Sequence, residues 1–339
     1  MKKRIGTYLI GLLATGLGFQ TTLKAQDPEF SQFYAAPLYT NPAMAGTAQC
    51  NRRGSAGRAA VNYRNQWPNL PGTFVTTAFS VDQHIDGIGG GLGLLAVRDV
   101  AGEGLLTSSS LSGIYSYHLA INRKLSMRFG LQAEVIQRRI DFSLLDWEDE
   151  IVGDRGFIGQ TKEEFATDVV TTPNFSTGTV LYTSSFYAGV AVHNLIEPIH
   201  SFYANHNRNS RLPRRYTVHL GSLIPLDKKG KTSNSFSPNL LFMSQAQFTQ
   251  LNVGFYLNRG PLVTGMWFRQ TFGEARNSDA LMLLLGFRKD RFKFGYSYDL
   301  TVDSKRGAVR GSHEISTTLE WCAKKPSPRL QNIPCPSNW

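Results

Sequence analysis

Seven histidines are spread through the chain, at positions 84, 118, 193, 200, 206, 219 and 313. No two have the His-Glu-x-x-His spacing that sets two metal ligands on one helical face. Several fall in stretches that read as strands, where a histidine facing a lumen or an interface is the ordinary reading. Acids bunch at Asp146, Glu148, Asp149 and Glu150, but the ligand spacing of a calcium loop is missing, and a solvated acidic turn is the better reading. The glycine-rich run Gly87 to Ala96 holds a loose G-x-G-x-x-A match. It lacks the strand-then-helix context that places a phosphate at a helix N-terminus; glycine inside a strand more often relieves curvature or admits another backbone. No G-x-S-x-G elbow is present. The sequence therefore assigns no catalytic, cofactor-binding or metal-binding residue, and a non-enzymatic role is expected.

Three cysteines exclude a disulfide-dense scaffold. Cys322 and Cys335 flank a tail rich in Lys and Pro, and in an oxidising compartment they can close a disulfide. Cys50 is the alternative partner for either, since connectivity is not readable from sequence.

The elements that carry these residues repeat every two positions. Leu125, Met127, Phe129, Leu131, Ala133 and Val135 alternate with Ser126, Arg128, Gly130, Gln132 and Glu134. Side chains of a strand point alternately to opposite faces, so one face is apolar and the other carries charge, amide and glycine. Phe292 to Leu300 and Ile315 to Trp321 repeat the pattern. This template yields fourteen strands, at 56–66, 72–83, 87–98, 104–120, 122–140, 174–182, 184–194, 213–225, 237–247, 249–258, 261–272, 278–289, 291–301 and 311–321. Most approach the ~9–11 residues that a tilted strand needs to cross a bilayer. Two long connections, Asp141 to Pro173 and Leu195 to Leu212, lie on one side, and most connections on the other are short. The basic stretch Asp227 to Phe236 is the exception. A soluble sandwich also alternates. Against it stand the charges inside long strands (Arg128, Glu134, Lys293, Asp299, Glu314, Glu320) and the aromatics toward strand ends (Tyr115, Tyr117, Tyr298, Trp321). The expected fold is all-β: a transmembrane antiparallel β-barrel of about 14 strands, apolar outside and polar within.

Composition agrees. Of 339 residues, 41% are hydrophobic and only 18% charged. Disorder needs more charge and fewer aromatics, and a polytopic helical protein needs several long apolar runs. Residues 1–25 read as a secretory signal peptide, with Lys2, Lys3 and Arg4 ahead of an apolar stretch and a cut between Ala25 and Gln26. Removing it lowers the formal charge from +11 to +7, because Lys2, Lys3, Arg4 and Lys24 leave and no acid does. The basic balance suggests a surface that meets lipopolysaccharide or an acidic partner rather than nucleic acid, and the outer membrane is the expected location. The barrel is assigned to 55–322 and a periplasmic tail to 323–339.

Residues 26–54 precede the barrel. They are rich in aromatics, and prolines 28, 37 and 42 oppose a helix. So much exposed aromatic surface is costly in water. Phe30, Phe33, Tyr34, Leu38 and Tyr39 are therefore expected to plug the lumen or cap its periplasmic mouth.

That segment, with Asn62-Tyr63-Arg64-Asn65-Gln66-Trp67-Pro68, Arg98-Asp99-Val100-Ala101-Gly102-Glu103-Gly104 and Tyr115-Ser116-Tyr117-His118-Leu119 leading into Arg123-Lys124-Leu125-Ser126, resembles the PorP/SprF family of type IX secretion system outer-membrane proteins of the Bacteroidetes. The likeness is dense over the first ~140 residues; beyond them mainly the strand layout matches. The cysteine-bearing tail departs from the pattern. The resemblance implies a barrel akin to the long-chain fatty-acid transporter class. It also implies a part in exporting and anchoring a large surface adhesin through that adhesin's C-terminal domain, together with other secretion components.

Candidate partner contacts are Arg64, Asn65, Gln66 and Trp67 at the end of the first strand. Others are Trp147, Phe157, Ile158 and Phe165 in the first long loop, where aromatic anchors would dominate binding, and Arg208, Arg211, Arg214 and Arg215 as a basic rim. Ordinary solvated loops would look the same in sequence. The rival function is a channel for a hydrophobic or small solute, which fold analogy alone would suggest.

Overall fold

The computed structural model describes residues 27–50, 54–69, 72, 74–102, 105–145, 167–202, 210–227, 234–272, 279–302 and 311–322. Fourteen strands build the wall: β1 (Gly54–Gln66), β2 (Phe74–Ile85), β3 (Gly90–Ala101), β4 (Leu106–Ala120), β5 (Ser126–Ile140), β6 (Val169–Tyr182), β7 (Phe186–His193), β8 (Arg215–Ser222), β9 (Asn234–Gln245), β10 (Phe248–Arg259), β11 (Leu262–Phe272), β12 (Ala280–Lys289), β13 (Phe292–Thr301) and β14 (Ser312–Cys322). Each pairs antiparallel with its neighbours in sequence. β14 then pairs with β1, from Ser312 opposite Gln66 to Cys322 opposite Ala56, and the sheet closes. Closure leaves no open edge, which an apolar bilayer requires. Two-residue strands at Gln49–Cys50 and Ile224–Pro225 add to β1 and β9.

The alternation read from sequence is realised with its apolar side outward. Phe129 is 43% exposed and Leu131 63%, whereas Arg128 between β5's apolar positions is 4% exposed. A water-soluble sandwich would bury the former and expose the latter. Trp321, Gly57 and Gln83 lie in one row across β14, β1 and β2. The Trp321 ring covers Gly57, where a Cβ would sit 2.2 Å from it, and its Nε1 donates to Gln83 Oε1 at 3.1 Å.

All fourteen expected strands are present, with shifted ends. β6 starts at Val169, not 174, and contains Pro173. The β6–β7 ladder stops at Thr177 opposite Val192. The Phe175 carbonyl, which accepts from Leu195 N, marks the edge of β6 turned toward β7. Residue 173 has the same parity, so the nitrogen of Pro173 faces an edge where no ladder bond is made, and proline costs nothing there. β5 starts at Ser126, not 122, because Asn122 Oδ1 accepts from the Lys124 and Leu125 amides at 2.8 and 2.9 Å and makes a side-chain turn. β3 starts at Gly90, after a 3-10 turn (Asp86–Ile88) that ends on Gly89 at φ 62.

The long connections β5–β6 and β7–β8 share one end of the barrel; most connections at the other end are short. The core lies inside. Residues 27–47 run through the bore, from Asp27 N bonded to Gln245 Oε1 at the long-loop end to Gly46 N bonded to Asp82 Oδ2 near the short-turn end.

Candidate functional site

The inner segment is held at three levels. Near the long-loop end, Tyr39 lies under the Arg215 guanidinium, 4.6 Å from ring centre to Cζ. Arg215 pairs with Asp27 at 3.2 Å and donates to Tyr39 Oη at 2.9 Å. Midway, the Ser31 and Gln32 amides donate to the Glu314 carboxylate at 2.6 and 3.2 Å. Ser31 Oγ donates to Asp299 Oδ2 at 2.5 Å and accepts from Arg64. Arg64 in turn pairs with Asp299 at 2.9 Å and Glu314 at 3.5 Å. Glu314 is 0% exposed, so its charge is compensated by this cluster and not by water. Near the short-turn end, the Ala45 carbonyl accepts from Ser116 Oγ and Arg128 Nη1 at 2.6 and 3.0 Å.

Apolar contacts fill the spaces between. Phe33 meets Trp267 edge-on at 5.2 Å, and Tyr34 sits among Tyr187, Tyr256 and Trp267 at 5.7 to 6.2 Å. Phe30 packs on Tyr39 at 5.1 Å, and Leu38 is fully buried. Asn41, Pro42 and Ala43 turn against bare wall. The Asn41 amide nitrogen donates to the Thr179 and Val190 carbonyls at 3.3 and 3.1 Å, and its Oδ1 accepts from Ala43 N. Ala43 and Pro42 press on Gly130, where a Cβ would lie 2.2 Å from Ala43 N. Gly91 of the glycine run does the same for Ala45, with backbone against backbone.

Above the segment, at the long-loop end, is a cavity of about 450 Å3. Asp27, Pro28, Glu29 and Tyr39 form its floor. Ser108, Ser110, Gln132, Glu134 and Arg138 line one wall, with Trp67 and Phe74 at the rim. His200, from the β7–β8 connection, lines it too; burial, then the nearby Arg138 charge, holds its imidazole down to about 4, so it is neutral.

Of the residues read as partner contacts, Gln66 and Trp67 line this cavity, Asn65 is half-buried, and Arg211 and Arg214 are exposed. Arg214 reaches Glu197 at 3.7 Å. Two placements differ from expectation. Arg64 shares its face of β1 with Asn62, and Arg215 its face of β8 with Thr217, so both point inward and serve the inner segment. Arg64 is thus no surface contact, and Arg215 is no part of an outer rim. Trp147, Phe157, Ile158, Phe165, Arg208, Cys335, Ala25 and Gln26 lie outside the described residues. Cys322 is disulfide-bonded. The inward charges have protein partners: Asp299 and Glu314 hold the segment, and Lys293 pairs with Glu320 at 2.7 Å. Their inward parity was visible in sequence; that Glu314 and Asp299 meet Ser31, 283 and 268 residues away, was not.

The family model described as type IX secretion system membrane protein PorP/SprF matches residues 22–319. No curated protein matches the chain in sequence. Among solved structures, a deltaS2S3 mutant of the monoaromatic hydrocarbon channel TodX is similar with a TM-score of 0.50 at 9% identity, over 84% of this chain and 93% of its own. A Pseudomonas aeruginosa FadL homologue is similar with a TM-score of 0.45 at 13% identity, over 85% of this chain and 94% of its own. At such identities the likeness concerns the fold alone.

Proposed function

The chain belongs to the PorP/SprF family of type IX secretion system membrane proteins, and on that premise we propose that it is an outer-membrane mount for a secreted surface protein. In this reading the partner's C-terminal domain docks on the long-loop end, which faces outward, and the barrel aids its export and holds it at the cell surface. Other secretion components meet the short-turn end, lipid and lipopolysaccharide meet the wall, and a signal peptide is removed near Ala25.

One observation carries the reading. The bore is occupied along its length by residues 27–47, tied to the wall by buried bonds, while an open cup of about 450 Å3 remains at the long-loop end. A filled bore with an open mouth suits a mount better than a conduit. The rival is the solute channel.

Purification from native membranes tests the proposal, with mass spectrometry of what co-purifies and planar-bilayer recording of the intact barrel. A co-purifying exported protein that carries a type IX C-terminal domain, with no steady conductance, is expected. Large steady conductance and no exported partner would favour the channel.

A further inference from the structure

Resting on that mount reading, we propose that the cup is a receptor for one positively charged side chain, an ammonium or guanidinium, carried on an extended segment of the docking polypeptide. Four carboxylates line the cup, Asp27, Glu29, Asp99 and Glu134, against three guanidiniums, Arg138, Arg215 and Arg269. Two of its carboxylates are already neutralised, Asp27 by Arg215 at 3.2 Å and Glu29 by Arg269 at 3.6 Å. The other two are not. Asp99 accepts from Thr76 Oγ1 at 2.6 Å, and Glu134 from Asn174 Nδ2 at 3.0 Å and from serine hydroxyls. Among the described residues neither has a cation within ion-pair distance. Arg138 is the one guanidinium of the cup without a carboxylate at that distance among the described residues; it stands over the Phe202 ring at 6.0 Å. Two unpaired carboxylates against one unpaired cation leave the cup a charge short.

Gln132 points to the same chemistry. It lines the cup, is 5% exposed, and uses Nε2 to donate to Ser112 Oγ at 3.0 Å. In that orientation Oε1 has no partner, and a buried acceptor left unmade is costly. Gln132 and Glu134 are two apart on one face of β5, and both line the cup. A lysine or arginine tip offers N–H donors to the Glu134 carboxylate. A metal ion is a poorer occupant, because no group of three or more His, Cys, Asp or Glu among the described residues is placed to hold one. The cup has room for a side chain and a short run of backbone, and Ser108 and Ser110 offer hydroxyls along one wall.

The test uses the full mature barrel in detergent. The probes are short fluorescent peptides identical except for a central lysine, arginine or norleucine, with free spermidine as a separate arm. Lysine and arginine peptides are expected to bind at least about tenfold more tightly than the norleucine peptide, and Glu134→Gln should remove the difference. Asp290→Asn, at the opposite end, should keep it. Equal binding of all three peptides, or an unchanged preference in Glu134→Gln, overturns the proposal. So does binding of spermidine alone, which would make this a polyamine site. The mount reading is judged separately, by retention of the exported partner on the wild-type barrel. Retention on Glu134→Gln with undiminished affinity leaves the mount and sinks the receptor; no retention even on wild type sinks the mount.

Discussion

Glu314, on the last strand, accepts the backbone amide of Ser31 at 2.6 Å, which ties the end of the chain's sheet to a segment that precedes its first strand. The same carboxylate accepts from Gln32 and faces Arg64 at 3.5 Å. Glu314→Ala strands two amides and part of the Arg64 charge in a dry site. Removing one partner of a buried pair costs about 3–5 kcal/mol, and the barrel's unfolding midpoint in denaturant should fall accordingly. Adding Arg64→Ala should cost less than the sum of the two single changes, since both act in one cluster. Strict additivity would show that the cluster is not a unit.

Gly130 is one place where the inner segment touches bare wall. A Cβ there would meet Ala43 N at 2.2 Å and the Pro42 carbonyl carbon at 2.4 Å, and backbone on both sides cannot swing aside. Gly130→Val should therefore lift the Asn41-Pro42-Ala43 turn while the strand, which favours valine, still pairs. Gly113, with nothing within 4 Å of its Cβ position, is the control. With a reporter Ala43→Cys in place, thiol labelling should be slow in the parent and in Gly113→Val, and fast in Gly130→Val.

Phe129 and Ser176 separate the two faces of the wall. Phe129→Lys puts a charge on the outward face, a cost that runs from about 1 kcal/mol near the interface up to about 2–4 kcal/mol at mid-bilayer, and should lower the yield of heat-modifiable barrel in membranes. Ser176 faces inward, and its hydroxyl has no partner among the described residues, so Ser176→Ala should assemble normally. Loss in both variants, or in neither, would contradict the apolar-out arrangement.

Much of this architecture is legible in sequence because a barrel is a local rule repeated. Met127, Phe129 and Leu131 against Arg128, Gly130 and Gln132 already specify two faces, and fourteen such stretches specify the wall. Parity also puts Arg64 on the face of Asn62, and Arg215 on that of Thr217; reading Arg64 as a partner contact and Arg215 as part of a basic rim gives loop position more weight than parity. Pro173 falls just outside the strand read at 174–182 yet lies within β6, and the missing β7 ladder beside it shows why its lack of an amide costs nothing there. The pairing of Ser31 with Glu314, or of Tyr39 with Arg215, had no local signal at all. Those contacts depend on which wall residues the segment passes, and closure of the barrel decides that.

Trp67 tests whether the rim residue contacts a partner or only shapes its loop. It holds φ 53, a left-handed backbone that L residues adopt at a cost of roughly 1–2 kcal/mol. Its amide donates to Gly311 O at 3.2 Å, and its ring meets Phe74 edge-on at 5.8 Å. Trp67→Gly removes the ring but relieves the backbone, so the two effects on stability oppose each other. Trp67→Ala removes the ring and keeps the strain. If the ring contacts the exported partner, both variants should lose retention equally, although Trp67→Ala is the less stable by about 1 kcal/mol. If the ring only fixes the loop, retention should follow stability, and Trp67→Gly should hold the partner better than Trp67→Ala. Retention measured beside the unfolding midpoint for the two variants decides between these roles, because glycine and alanine differ in backbone freedom and hardly at all in what they offer a docking surface.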